Sequence, residues 1–316
     1  MKKLLCSVLL VCGLVSAAFA AYPERPVTII CGPAAGGGTD RVLRGLASEL
    51  QKILGQTFIV ENKPGASHSL SHVTVAKSAP DGYTLVGSIF ELSQYHWMGI
   101  SPVSYKDFEN VACMNLEPSC VTVRADSPFK TLKELLDYAK AHPGELTMGS
   151  SPASVWNLAR VALCDAAGLS PKDILLIPTN GAAQAIVELM GGHINVVFNG
   201  FSEVKSQYKS GEFRVLAVLS DERNPDCPEI PTAKELGYDV AAFTFRGISA
   251  PKGTPKEVVA TLEKAIKQAC ESESFKEFMG KLGAPVYYLD SEGYTALLKK
   301  TDESIEHLLK LAGLVH

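Results

Sequence analysis

Apolar and polar positions along this chain switch repeatedly between two periods. Val27-Thr28-Ile29-Ile30-Cys31 is an unbroken apolar run rich in β-branched residues, the signature of a strand covered on both faces. A glycine-rich stretch follows. Val42, Leu43, Leu46, Leu50, Ile53 and Leu54 then recur at helical spacing, with Thr39-Asp40 as an N-cap and Gly55 as a stop. Residues 57–61 and 83–88 read as the next strands. Further on, Thr131 and Glu134 form a capping box for a helix over 132–141 that Pro143-Gly144 ends. A short strand over 146–149 runs through Ser150-Ser151-Pro152 into a helix over 153–167. A strand over 174–177, a turn at Asn180-Gly181 and a helix over 182–190 follow, then apolar strands over 194–198 and 215–219. Thr254-Pro255-Lys256-Glu257 combines an N-cap, a first-turn proline and a capping-box acid for a helix reaching about Cys270. The grammar predicts an α/β fold with mostly parallel sheets.

The first twenty residues follow another pattern. Lys2-Lys3 precede an apolar run over 4–15, and Ala18-Phe19-Ala20 offers small residues at the positions a signal peptidase inspects. The run is shorter than the ~20 residues that span a bilayer, so the expectation is export with cleavage after Ala20. The alternative, a lipidated Cys12, is disfavoured by Val11 before it. With 316 residues, about twice the ~150 typical of one domain, the chain suits two lobes or one large domain. Its formal charge of -4 becomes -6 once Lys2 and Lys3 are removed, which argues against a basic nucleic-acid surface.

The mature chain keeps Cys31, Cys113, Cys120, Cys164, Cys227 and Cys270. Cys113 and Cys120 flank Glu117-Pro118, which reads as a turn between two strands, so a local disulfide is one option and buried thiols the other. Three junctions offer free amides at a helix N-terminus: the Gly36-Gly37-Gly38 turn, Gly149-Ser150-Ser151 and Thr179-Asn180-Gly181. Each alone is explained by capping or a tight turn. Together they outline a cleft that takes an anion with neutral donors. Nucleotide readings fail, since the P-loop lysine is missing and Arg41 breaks the dinucleotide spacing. No catalytic elbow or zinc motif occurs. His68 and His72 read as surface or capping residues rather than a metal pair.

Ordered blocks carry a family resemblance across the mature chain: Tyr22-Pro-Glu-Arg-Pro26, Ala35-Gly-Gly-Gly-Thr-Asp40, Val60-Glu-Asn-Lys-Pro-Gly-Ala66 and Ala79-Pro-Asp-Gly-Tyr-Thr-Leu85. Thr131-Leu-Lys-Glu-Leu135, Gly191-Gly-His193 and Ala250-Pro-Lys-Gly-Thr-Pro255 continue the series. The chain resembles the tripartite tricarboxylate transporter receptors, or Bug-type solute receptors. The resemblance implies a two-lobed periplasmic-binding-protein-like (type II) α/β fold: lobe 1 over 21–122 plus 243–316, lobe 2 over 123–242, and hinged closure on a small organic acid. It implies a monomer that serves membrane transporter subunits, with no cofactor and no catalytic residue. It places ligand contacts at Ala34, Ala35, Gly36, Gly37, Gly38, Thr39, Asp40, Ala66, Ser67 and Ser88 in the first lobe. The second lobe offers Ser150, Ser151, Ser154, Thr179, Asn180, Gly181, Ala182 and Asn199.

Several cleft positions depart from the family pattern. Ser67 and His68 stand where glycines are common, Pro152-Ala153 where the stretch is more polar, and Thr179-Asn180 where Tyr-Lys is common. Asn199 replaces a frequent Asp, and Phe245-Arg246 a frequent aromatic pair. Arg246 reads either as a bidentate contact to a second carboxylate or as an ion pair at the surface or between lobes. Without an acid at 199 the expectation is a mono- or dicarboxylate with no obligatory amino group, unless Glu91 points inward. Two rival functions stand beside this one: a secreted hydrolase using Ser150 or the histidines, and a binding protein turned to sensing.

Overall fold

A computed structural model describes residues 22–315; the proposed leader, with Cys6 and Cys12, lies outside the described residues. The first sheet is built outward from β1 (Val27–Cys31), which pairs in parallel with β2 (Phe58–Asn62) and β3 (Thr84–Ile89). Helix α1 (Gly38–Leu54) lies over it, and Val42, Leu43, Leu46 and Leu50 are buried as the spacing predicts. Each such side chain contributes about 1.5–3 kcal/mol by leaving water. Gly55 ends α1 in the left-handed conformation, its N–H donating to the Gln51 carbonyl at 3.0 Å. Helix α2 (Ser69–Ala76) follows β2.

The element that joins the molecule is β4 (Phe108–Arg124), seventeen residues long. Its first part pairs antiparallel with β9 (Phe243–Pro251) from Phe108–Pro251 to Pro118–Phe243, and β9 in turn pairs with β3. Its last part, from Ser119, pairs antiparallel with β7 (Val197–Gly200) and β8 (Phe213–Leu219). The sheet is therefore mixed, parallel in the β1–β2–β3 unit and antiparallel along the two strands that cross between lobes. Glu117-Pro118 is not a turn. Pro118 sits where β4 changes partners, a place where a missing N–H costs the ladder little.

Between the crossings β4 and β9 the chain forms α3 (Leu132–Ala141), β5 (Leu146–Ser150), α4 (Val155–Ala166), β6 (Ile174–Pro178), α5 (Ala182–Met190) and α6 (Phe201–Ser210) besides β7 and β8. β5 and β6 pair in parallel, and a bridge from Met148 to Val196 ties them toward β7. The Thr131–Glu134 capping box forms as predicted. Helix α4 starts at Val155 rather than 153, because Ser154 caps it by accepting from the Trp156 N–H at 3.2 Å. After β9 the chain continues as α7 (Lys256–Glu271), α8 (Glu273–Leu282), β10 (Val286–Leu289) and α9 (Ser291–Leu311). The capping box expected at Thr254–Glu257 does not form: Pro255 occupies the cap position, and the Thr254 hydroxyl donates to the Pro251 carbonyl at 2.7 Å. The 39–40 cap is also displaced, since α1 begins after Gly37 with no side-chain cap.

All six cysteines in the described residues are free and buried. Cys113 and Cys120 cannot bridge each other: both lie on the continuous β4, opposite Gly247 and Asn199 respectively. Burial pushes the Cys113 thiol up to about 12, which leaves it unreactive.

His72 is wholly buried, not a surface residue, against the Tyr95 and Phe108 rings. Burial lowers its pKa to about 4, against the opposing hydrogen bond to the His68 carbonyl. The unfolded chain takes up this proton near pH 6.5 and the folded one only near 4, so stability should fall as pH drops through that window. We expect a loss of about 2 kcal/mol at pH 5 relative to pH 7 from this one group. Urea titrations at the two pH values should show it, and His72→Phe should remove it.

Candidate functional site

A cavity of about 540 Å³ lies between the lobes. Its first wall is the turn from Pro33 to Thr39 with Arg41 on the opening turn of α1, joined by His68, Ile89 and Glu91. The second is the start of α4 (Ser151, Ser154, Val155, Trp156) and the α5 stretch Asn180 to Ala183 with Ile186, Val187 and Met190. Glu203 and Gln207 on α6 and Thr244 and Arg246 on the crossing strand β9 close it.

The turn is shaped by Asp40. Its carboxylate accepts from the Gly36 N–H at 2.9 Å, from Arg44 Nε at 3.1 Å and from Asn62 Nδ2 at 2.9 Å. Burial alone would raise its pKa, but the bonds from Arg44, Gly36 and Asn62 outweigh this and hold it below the usual carboxylate range. Gly36 has φ 82°, which a side chain resists. Gly37 has φ -70° and its Cβ position meets only the Ala34 carbonyl oxygen, at 3.3 Å. The close approach belongs to Gly38 instead: a Cβ there would lie 3.0 Å from Arg246 Nη2 and 3.4 Å from Glu203 Oε1.

Arg246 is 3% exposed, so it is no surface residue. Its Nε donates to Thr39 Oγ1 at 3.1 Å, and Nη1 donates to Asn115 Oδ1 and, at 2.8 Å, to Glu117 Oε2. Glu117 is fully buried and also accepts from the Ser202 N–H at 2.9 Å. The ion pair and its hydrogen bonds thus tie β9, β4, α1 and α6 together, and Arg246 lines the cavity.

Beside it, Glu203 accepts from Asn199 Nδ2 and the Gly200 N–H, both at 3.3 Å. Burial, then the neighbouring Glu117 carboxylate, raises its pKa to about 7, although Arg246, the Gly200 amide and Arg41 pull the other way. Three polar atoms of the cavity wall are buried with no hydrogen-bond partner among the described residues: Arg41 Nε, His68 Nδ1 and Gln207 Oε1. His68 is delivered there by three consecutive non-glycine residues at positive φ, Ala66 (46°), Ser67 (51°) and His68 (73°). Such backbone is costly and marks a place where the surroundings over-determine the conformation.

Of the residues singled out in the sequence, Ala34 to Thr39, Ser151, Ser154, Asn180, Gly181, Ala182 and Arg246 line this cavity, and so does Glu91. Asp40, Ala66, Ser67, Ser88, Ser150, Thr179 and Asn199 do not. Asp40 clamps the turn, Ser88 donates to Ser249 Oγ at 2.8 Å, Thr179 donates to the Gly181 carbonyl at 3.2 Å, and Asn199 holds Glu203. Ser150 is buried at the end of β5, and Ala66 and Ser67 support the His68 turn.

The sequence profile described as the tripartite tricarboxylate transporter family receptor matches residues 42–314. The chain belongs to that family. Among relatives of the receptor family, a UPF0065 protein from the gbd 5' region of Cupriavidus necator is 34% identical over 297 residues, covering 93% of this chain and 89% of the relative. The structure of the periplasmic binding protein BugD superposes with a TM-score of 0.84 at 32% identity, covering 93% of this chain and 99% of that one. The structure of MatC from Rhodopseudomonas palustris, with bound malate, gives a TM-score of 0.81 at 27% identity, covering 91% of this chain and 100% of that one.

Arg41, His68, Trp156, Glu203 and Gln207 complete the site beyond what the sequence indicated. Glu203 and Gln207 are four apart on α6, so one helix face brings both to the cleft. That spacing was the available signal for them.

Proposed function

We propose that this receptor is exported to the periplasm with cleavage after Ala20, captures a small organic carboxylate between its lobes and presents it to tripartite membrane transporter subunits. The observation that carries the reading is Arg41: its side chain lines the cavity with Nε buried and without a partner among the described residues, in the first turn of α1. A carboxylate seated there meets a fork of donors and the positive end of the helix dipole. Family membership and the malate in MatC support the same class. Lobe 1 is taken as 21–122 plus 243–316 and lobe 2 as 123–242, with β4 and β9 as the hinge between the wall elements. The chain acts as a monomer and needs no cofactor. A hydrolase is not favoured, because Ser150 is buried and its hydroxyl has no hydrogen-bonded base among the described residues.

Mass spectrometry of whatever is released on denaturing the purified protein should show a carboxylic acid. Adding that acid back to stripped protein should compact it in small-angle scattering, since the closed state alone offers both walls to the ligand. A released compound without a carboxyl group, or no compaction at saturation, would defeat the proposal.

A further inference from the structure

The charges lining the cleft do not suit a dianion. Arg246 is matched by the buried Glu117, leaving the guanidinium of Arg41 against the carboxyl groups of Glu91 and Glu203. Glu91 is itself largely buried and makes no ion pair with the described residues. Gln207 Oε1 is a further acceptor there, buried and without a partner among the described residues. A closed cleft holding two more carboxylates would collect like charges in a medium that screens them poorly. On this side of the cleft Glu91, Glu203 and Gln207 Oε1 are acceptors, and these ask the ligand for a donor. The remaining wall is apolar: Ile89, Val155, Trp156, Ile186 and Val187, the last 64% exposed. Apolar surface of this kind is covered at a gain only by an apolar body.

We infer that the ligand is a zwitterion with an apolar body, its carboxylate on Arg41 and its ammonium on the Glu203 and Glu91 side of the cleft. The inference rests on the carboxylate-receptor reading and narrows it, and it reverses the expectation drawn from Asn199. The acid that position lacks is supplied from α6, with Asn199 holding it in place. The groups facing Glu203 are Glu117 from β4, Arg246 from β9, Arg41 from α1 and the Asn199 and Gly200 donors of β7. Burial above all, and then Glu117, raises its pKa to about 7 against the pull of the others. An ammonium on Glu203 lowers that pKa, so binding releases a proton and tightens as pH rises. A ligand that brings only carboxylate charge does the opposite, favouring the protonated acid.

The test is calorimetry with matched pairs that differ only in the amino group: phenylalanine with 3-phenylpropionate, leucine with 4-methylpentanoate, and glutamate with glutarate. The best amino member should bind at least about tenfold tighter than its partner. Its affinity should rise about tenfold from pH 6 to pH 8, in step with the ionised fraction of Glu203. Glu203→Gln should flatten that pH profile and shrink the preference, and Glu91→Gln should shrink the preference alone. The wild-type profile needs no variant, so the test survives a variant that fails to fold. An amino-free partner binding as tightly or more tightly, or an affinity that falls with pH, overturns the zwitterion while leaving the carboxylate receptor standing. Folded protein that binds no member of any pair overturns both.

Discussion

Replacing Arg246 with methionine is expected to lower the unfolding free energy by roughly 3–5 kcal/mol, the usual consequence of leaving one member of a buried pair behind. Among the described residues Glu117 would keep only the Ser202 N–H as a partner, at the junction where β4 and β9 pass between lobes. Urea denaturation read by circular dichroism measures the loss. The double variant Glu117→Met/Arg246→Met should recover much of it, because no orphaned charge remains and the volume is nearly kept. A single-variant loss under about 1 kcal/mol would mean that the pair is not sequestered from water.

Arg41→Met should behave in the opposite way. Its side chain makes no hydrogen bond or ion pair with the described residues and its Nε is buried in the cleft wall. Stability should therefore stay within about 1 kcal/mol of wild type. Affinity for the carboxylate should drop roughly 10–100-fold, the worth of a charge-assisted hydrogen bond. Calorimetry beside a melting curve separates the two quantities. Intact affinity with a lowered melting temperature would make Arg41 a structural residue and remove the main support for a carboxylate on the first lobe.

What the sequence displayed and what it hid divide along physical lines. Helices α3 and α5 are legible to the residue because their starts are written locally, by Thr131 and Glu134 in one case and by Asn180-Gly181 before the other. The crossing strand β4 was hidden because Glu117 and Pro118 look like solvent-facing turn residues. Only a partner more than a hundred residues away, Arg246, makes a buried glutamate there acceptable. The cleft loops were legible, since glycine and serine at helix starts announce themselves. Arg41, Glu203 and Gln207 were not: each sits on a helix whose polar positions normally face water, and only the opposing lobe turns that face inward. The six cysteines show the same limit, since spacing alone cannot tell a bridge from thiols in separate cores.

The chain has two tryptophans, and the fold assigns them different surroundings. Trp156 lines the cleft at the start of α4, whereas Trp97 donates its indole N–H to the Asp302 carbonyl at 3.1 Å beside α9. The molecule therefore carries an intrinsic optical pair, one fluorophore buried in the cleft wall and one reference away from it. Occupancy can be followed in unlabelled protein, and Trp156→Phe serves as the blank that separates quenching by a bound solute from a global change in emission.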